Sequence, residues 1–313
     1  MRHFISILFL LCLISCSGPT GYWSDPRVIL ISIDGLRSDI VNNPAFAENH
    51  PYLARLMAEG EYCANVQTVF PSLTYPSHTS MITGVMPDKH GIVNNRPFIP
   101  EKNFVDWYWY ADSIKVPTLI TKAKQKGLVT LGVSWPVTVG AEMDWMLPEI
   151  KSVTDTISTV DLARKHDRPE TFLESAKIRG AVPEDGNPSG YNRDLLLHDI
   201  FMDAFFRKAP HLSLYHMIET DLIQHEFGGK SDEAKDAFMF MDSLVGNIMA
   251  FLDENELWET TTLIIAGDHG FRDYEKRVNL NRLFEKEGWL NVKNGWISDW
   301  QVVCLASGGS GSV

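Results

Sequence analysis

Four short segments of this sequence carry oxygen and nitrogen side chains at spacings suited to metal-assisted chemistry. In VFPSLTYPSHTSMITG, residues 69–84, an extended run meets a tight turn and then a helix start; Pro71 and Pro76 restrict the backbone on either side of Thr74. The helix signal runs from Ser77 to Thr83, and Gly84 ends it. A hydroxyl at such a turn faces outward beside the free donors of a helix start, which suits a nucleophile that must meet a phosphate. A threonine in this position also serves as an ordinary cap. Asp34 and Gly35 follow one apolar run; Asp221 and His225 stand four apart after another; Gly267-Asp268-His269-Gly270 follows a third. Asp and His four apart on a helix share a face and are competent zinc ligands, although such pairs also arise by chance. Flanking glycines let the chain turn closely around an ion. Oxygen and imidazole donors without thiolates suit zinc in a hydrolytic site. Two divalent ions about 4 Å apart can hold both the attacking and the leaving oxygen of a phosphoryl transfer.

The elements that must position these groups alternate between strand and helix. Short β-branched or apolar runs at Val28–Ile33, Leu128–Val133, Leu212–Met217 and Thr261–Ala266 read as buried parallel strands. Tyr62–Val69 and Gln301–Leu305 read as further strands, the second an edge or returning strand. Helices are expected at His50–Gly60, Val116–Lys126, Asn192–Phe206, Ser231–Leu252 and Asn279–Gly288. This alternation predicts an α/β fold, and the ligand-bearing residues all stand at strand carboxyl ends, where open α/β sheets bind ligands. The loop GVMPDKHGIVNN brings Asn94 and Asn95, whose amides can donate to a ligand or build a turn. The aromatic-rich stretch 101–111, with Trp135 and Trp145, reads either as core or as a wall beside the site. Residues 148–190 read as a surface excursion or small inserted lobe, and the tail ASGGSGSV as flexible.

The chain has 313 residues, is 44% hydrophobic and carries a formal net charge of −12, so one large domain is allowed and wholesale disorder is excluded. The acidic balance argues against sequence-specific or general nucleic-acid binding and leaves a small phosphate ester as a partner. No glycine-rich dinucleotide or triphosphate loop and no G-x-S-x-G elbow is present. Residues 1–15 have one Arg before an apolar run too short to span a membrane, and read as a signal peptide. Leu13-Ile14-Ser15-Cys16 resembles a bacterial lipoprotein signal. That likeness implies a lipidated Cys16, a linker over 16–26, export to the periplasm and an outer-membrane lipid anchor, Ser17 favouring the outer membrane. Cys63 and Cys304 read either as two buried thiols, the default, or as one bridge in an oxidising compartment.

Taken together, ISIDGLR, PSLTYPSHTSMITG, HGIVNN, ETDLIQH and GDHG, in this order, resemble the type I phosphodiesterase and nucleotide pyrophosphatase family of the alkaline phosphatase superfamily. The resemblance covers residues 27–313. It implies an alkaline-phosphatase-like, mostly parallel central sheet flanked by helices. It also implies zinc-dependent hydrolysis of phosphodiester or pyrophosphate bonds, as in nucleotides, through a phospho-threonine at Thr74. By the same likeness Asp34, Thr74, Asp268 and His269 hold one of two zinc ions, and Asp221 and His225 hold the other. Asn95 binds a nonbridging phosphoryl oxygen together with the Thr74 backbone N–H. The family pattern adds a third ligand to the second ion, a His well beyond GDHG; no His follows His269 in this sequence. The resemblance therefore implies that the domain's C-terminal part is missing and the second zinc site incomplete. Other readings are a phosphomonoesterase or phosphonate hydrolase on the same metals, and a catalytically impaired binding lipoprotein. No obvious cationic clamp for a monoester occurs in the matched motifs, Arg37 and Arg96 being the exceptions. A sulfatase is disfavoured, because threonine cannot form the aldehyde hydrate such enzymes build from Cys or Ser.

Overall fold

The computed structural model describes residues 21–99, 106–152, 156–176 and 182–313. The signal peptide, Cys16 and the first part of the linker lie outside the described residues. Among the described residues five strands form the central sheet: β1 Arg27–Ile33, β2 Thr130–Val133, β3 Trp145–Leu147, β4 Leu212–Met217 and β5 Thr261–Gly267. Their order is β3-β2-β4-β1-β5, and every neighbouring pair is parallel. The principal helices are α1 Pro51–Glu59, α2 Thr74–Thr83, α3 Leu119–Gln125, α4 Gly190–Lys208, α5 Glu219–Phe227, α6 Asp232–Glu254 and α7 Leu280–Lys286. The chain is thus an α/β fold with a mostly parallel sheet between helical layers.

The period of two along a strand decides which side chains reach which layer. Ile29, Ile31 and Ile33 of β1 and Tyr215 and Met217 of β4 join the core shared with Phe201 and Phe205 of α4 and Leu244, Val245 and Ile248 of α6. Leu30 of β1 and Leu212 and Leu214 of β4 face the opposite layer, with Ile82 of α2 and Ile120 and Ala123 of α3. Asp34 continues the even-numbered face of β1 past Ser32, so it emerges on the side covered by α2, the helix that begins with Thr74. Ile33 lies in register with Met217 on one side and Gly267 on the other. The residues just beyond these three ends, Asp34, Ile218 and Asp268, therefore stand at one level of the sheet edge.

Several sequence expectations change. Tyr62–Val69 is not a strand: it has β-forming residues but no partner, and Val66 is exposed. Cys63, within that segment, is consequently exposed, whereas Cys304 is buried; both are free. Gln301–Leu305 is not an edge strand. The chain instead forms two antiparallel hairpins, β6 Leu290–Lys293 with β7 Trp296–Trp300 and β8 Leu305–Ser307 with β9 Ser310–Ser312. The tail expected to be flexible contains the second hairpin, whose tight connection uses Gly308 at φ +53°. Within 148–190, Val160, Ala163, Phe172 and Leu173 are buried in the core. Among the described residues no helix is long and apolar enough to cross a membrane.

One buried acid fixes the helix that carries Asp221 and His225. Asp194 of α4, fully buried, accepts from the amides of Ile218 (3.3 Å) and Glu219 (2.7 Å) at the start of α5. Burial raises its pKa, while these amides and nearby Arg193 favour the carboxylate. Asp194→Ala leaves the buried Glu219 amide and the partly buried Ile218 amide without this partner. Urea unfolding should then show a loss of about 1–3 kcal/mol with an unchanged denaturant slope.

Candidate metal centre

At the carboxyl edge of β1, β4 and β5, the side chains of Asp34, Asp221 and Asp268 and the imidazole of His269 converge, with the exposed His225 beside Asp221. Asp34 is 4% and Asp268 1% exposed. The Nε2 atom of His269 lies 3.3 Å from Asp34 Oδ1, 3.4 Å from Asp268 Oδ2 and 3.3 Å from Thr74 Oγ1. Asp34, Asp221 and His269 each bring a ligand atom within 4.8 Å of the others. His225 Nε2 is 3.4 Å from Asp221 Oδ2, and its ring stands against Phe271. One turn of helix between Asp221 and His225 brings their side chains onto one face.

Local backbone chemistry sets this arrangement. Gly35 adopts φ +68°, and a Cβ there would lie 2.9 Å from Gln224 Nε2. Its N–H donates to Asp268 Oδ1 (3.0 Å), which also accepts from the His269 amide (2.8 Å). One Asp268 oxygen is therefore held by the backbone and the other, Oδ2, is turned into the cluster. The Thr68 hydroxyl donates to the Asp268 carbonyl at 2.6 Å and fixes the same turn from the segment before α2. Leu73, in extended conformation, precedes α2, and Gly84 closes it in the left-handed region. Thr74 is the first helical residue, where a helix leaves amides without internal acceptors.

The electrostatics are those of a site built for a cation. Burial raises the pKa of Asp34 well above the usual carboxylate range, and the neighbouring Asp268 and Asp221 push it further. Burial likewise raises Asp221. Burial would raise Asp268 too, but the imidazoles of His269, His78 and His216 outweigh it and leave its pKa lowered. Burial works to lower the His269 pKa; the carboxylates of Asp268, Asp34 and Asp221 overturn this and hold it at about 9. Asp34 Oδ1, Asp221 Oδ1 and Asp268 Oδ2 are buried without a hydrogen-bond partner. Three carboxylate oxygens without donors, beside an imidazole, have the composition of a hard-to-borderline divalent-ion site, and the residues present fit such an ion.

Asn95, on the loop after Gly91, accepts from the Tyr75 amide through Oδ1 (3.0 Å). That bond assigns the carbonyl end and leaves the NH2 end as donor beside the start of α2. Asn94 is used differently: its Nδ2 donates to Ser307 Oγ (2.7 Å) and its Oδ1 accepts from the Asn95 amide (2.7 Å). The guanidinium of Arg37 is buried, donates to Asp39 through Nε (2.9 Å) and contacts the Gly229 carbonyl. Arg96 lies over the Trp107 ring, 5.2 Å from its centroid. Trp109, Trp135 and Trp145 are core residues, while Trp107 is partly exposed and packs 5.2 Å from the Tyr75 ring.

Sequence reasoning missed Glu149, His216 and His78, which adjoin the cluster. His78 Nδ1 donates to the Thr74 carbonyl (2.7 Å), and its ring lies 4.3 Å from that of His216. Burial and the adjoining His216 lower the His78 pKa to about 3. A histidine inside the apolar run of β4 was a visible anomaly, and the alternation of faces would have placed it under Asp34.

A sequence profile described as type I phosphodiesterase / nucleotide pyrophosphatase matches residues 28–310. The chain is 24% identical over 277 residues to Homo sapiens ectonucleotide pyrophosphatase/phosphodiesterase family member 1, covering 84% of this chain and 26% of that protein. It is 26% identical over 278 residues to Homo sapiens bis(5'-adenosyl)-triphosphatase ENPP4, covering 84% of this chain and 53% of the relative. A solved structure of murine ectonucleotide pyrophosphatase/phosphodiesterase 5, an inactive variant in complex with AMP, superposes with a TM-score of 0.58 at 19% identity. It covers 84% of this chain and 62% of the other. The chain thus spans about half or less of the length of these curated relatives.

Proposed function

We propose, from the premise that this chain belongs to the type I phosphodiesterase / nucleotide pyrophosphatase family, that it hydrolyses phosphodiester or pyrophosphate bonds at the metal-binding edge of its sheet. The observation that carries this reading is the placement of the Thr74 hydroxyl 3.3 Å from His269 Nε2, beside the cluster of Asp34, Asp221 and His269. The relatives' names point to pyrophosphate-linked nucleotides as the substrate class.

Asp34, Thr74, Asp268 and His269 would hold one zinc ion and Asp221 and His225 a second. When bound, the ions would offset phosphoryl charge and make a coordinated hydroxyl easier to ionise. Asp221, sharing the cluster with Asp34 while facing His225, stands at the boundary of the two sets. Thr74 Oγ1 forms the new bond to phosphorus as the ester or anhydride P–O bond opposite breaks and the leaving oxygen departs. Water then attacks the same phosphorus, the Thr74–O–P bond breaks, the phosphoryl product departs, and the Thr74 oxygen regains the proton it gave up to solvent in the first step. The Thr74 N–H and the Asn95 amide hold a nonbridging oxygen throughout, Asn95 being steadied by its bond from Tyr75. Asn95→Ala should lower kcat by about 10²-fold, the scale for one oxyanion donor. Steady-state kinetics on a nitrophenyl phosphodiester measure it.

Preference for a diester over a monoester is supported by Arg37, whose charge is committed to Asp39 instead of an additional phosphate charge. Purified chain loaded with zinc should cleave nitrophenyl diesters and dinucleoside polyphosphates at least about tenfold faster than a nitrophenyl monoester, or ~1.4 kcal/mol in the barrier. A monoester turned over faster would replace this reading with the phosphomonoesterase one. The basic-then-apolar start of the sequence and Cys16 support export and lipid attachment. Incorporation of labelled fatty acid in a bacterial host, lost on Cys16→Ser, is the test.

A further inference from the structure

The two oxygens of Asp34 have different surroundings. Oδ1 has no hydrogen-bond donor and faces His269 Nε2 at 3.3 Å. Oδ2 faces His216 Nε2 at 3.2 Å, an ion-pair contact outside hydrogen-bond geometry. His216 is fully buried on β4, in register with Ser32 and hence on the same sheet face as Asp34. Its other ring nitrogen, Nδ1, stands 3.2 Å from the Ser134 carbonyl and 3.5 Å from Glu149 Oε2. Ser134 takes φ +55°, a left-handed conformation costly for a residue with a Cβ, at the point where its carbonyl meets this ring. Glu149 Oε1 accepts from the Tyr75 hydroxyl at 3.2 Å. Tyr75 directly follows Thr74, and its amide donates to Asn95. A continuous line of contacts thus runs from the ligand carboxylate through His216 and Glu149 to the residue beside the nucleophile.

Burying an imidazole and a carboxylate is unfavourable unless each polar atom is partnered. An apolar side chain in β4 would pack as well as its neighbours Leu214 and Met217 do. We propose that His216, braced by Glu149 and Ser134, is a positioning residue. It engages Asp34 Oδ2 so that Oδ1 presents to the metal ion, and Glu149 couples that setting to Tyr75 at the head of α2. In metal sites, partners of this kind are worth about 10- to 100-fold in affinity or activity when removed.

The proposal rests on the metal-dependent reading above. The test titrates zinc into the metal-free protein against a chromophoric chelator, for wild type, His216→Ala, His216→Gln and Glu149→Gln. Urea unfolding of each metal-free protein and kcat and KM on a nitrophenyl diester accompany it. His216→Ala should weaken zinc binding by about 10- to 100-fold and lower kcat more than it changes KM. His216→Gln, which can place an amide near the Nε2 position, should recover part of the loss, and Glu149→Gln should fall between. A role confined to packing would lower the metal-free unfolding midpoint and leave zinc affinity of the folded protein at the wild-type value, and that result overturns the proposal. If His216→Ala does not fold, Glu149→Gln decides by the same criterion. Wild-type chain that binds no divalent ion would overturn the metal-dependent reading itself, whereas wild-type binding matched by every variant would overturn only the role of His216.

Discussion

Thr74→Ala should lower kcat on a nitrophenyl phosphodiester by about 10⁴-fold or more, roughly 5 kcal/mol in the barrier, while the protein stays folded. The size of the effect follows from what the substitution removes. One oxygen is lost, and in the proposed route that oxygen forms the first new bond to phosphorus. Little else depends on it. Thr74 makes no side-chain cap to its helix, and its Oγ1 contact is with His269 Nε2. The urea midpoint of Thr74→Ala should therefore move little. Thr74→Ser keeps the oxygen and should retain a measurable part of the activity. Turnover by Thr74→Ala at the wild-type rate would mean that water attacks the substrate directly and that the hydroxyl is only a neighbour.

Asp34→Asn should abolish high-affinity binding at the cluster and lower kcat by about 10³-fold or more, a loss that added zinc does not repair. The exchange is nearly isosteric, so packing is preserved and the missing quantity is a ligand charge. Its effect on the metal-free protein should run the other way. In that state Asp34 is buried beside Asp268 and Asp221, an arrangement that raises its pKa and disfavours the carboxylate form in the fold. Metal-free Asp34→Asn should accordingly be no less stable in urea than metal-free wild type. Zinc should raise the wild-type midpoint by mass action and leave the variant's in place. Chelation of wild type should reproduce the loss of turnover, and re-addition of metal should reverse it. Equal zinc-dependent stabilisation of both proteins would remove Asp34 from the ligand set.

Much of this arrangement was legible in the residues. Apolar runs of strand length followed within a few residues by Asp34, Asp221 or Asp268 marked the sheet edge, because ligand-bearing segments follow parallel strands at their carboxyl ends. The four-residue spacing of Asp221 and His225 required only that the chain turn helical, and α5 does so. Gly84 marked the end of α2 through its left-handed backbone. The failures have equally specific causes. Tyr62–Val69 has the composition of a strand, but pairing depends on a partner that local sequence does not encode. The glycine-rich tail looked flexible, yet Gly308 supplies the positive φ that a tight hairpin needs. Glu149 and His216 went unnoticed because their importance lies in contacts between residues distant along the chain. His216 meets Asp34 through strand register, and Glu149 reaches it from the segment after β3. Similarly, Asn94 and Asn95 are equivalent donors by residue type, and only the family resemblance singles out Asn95; in the structure Ser307 engages the first and the Tyr75 amide orients the second.

The measurement that bears most directly on nucleophilic Thr74 beside a metal cluster is the stereochemical course at phosphorus. Zinc-loaded wild-type chain would be given a phosphorothioate diester of one configuration, in isotopically labelled water or with an acceptor alcohol, so that the product phosphorus remains chiral. Two successive displacements, one by Thr74 Oγ1 and one by the second nucleophile, each invert the centre, and the account predicts net retention. Net inversion would show a single direct attack by the second nucleophile and would contradict it.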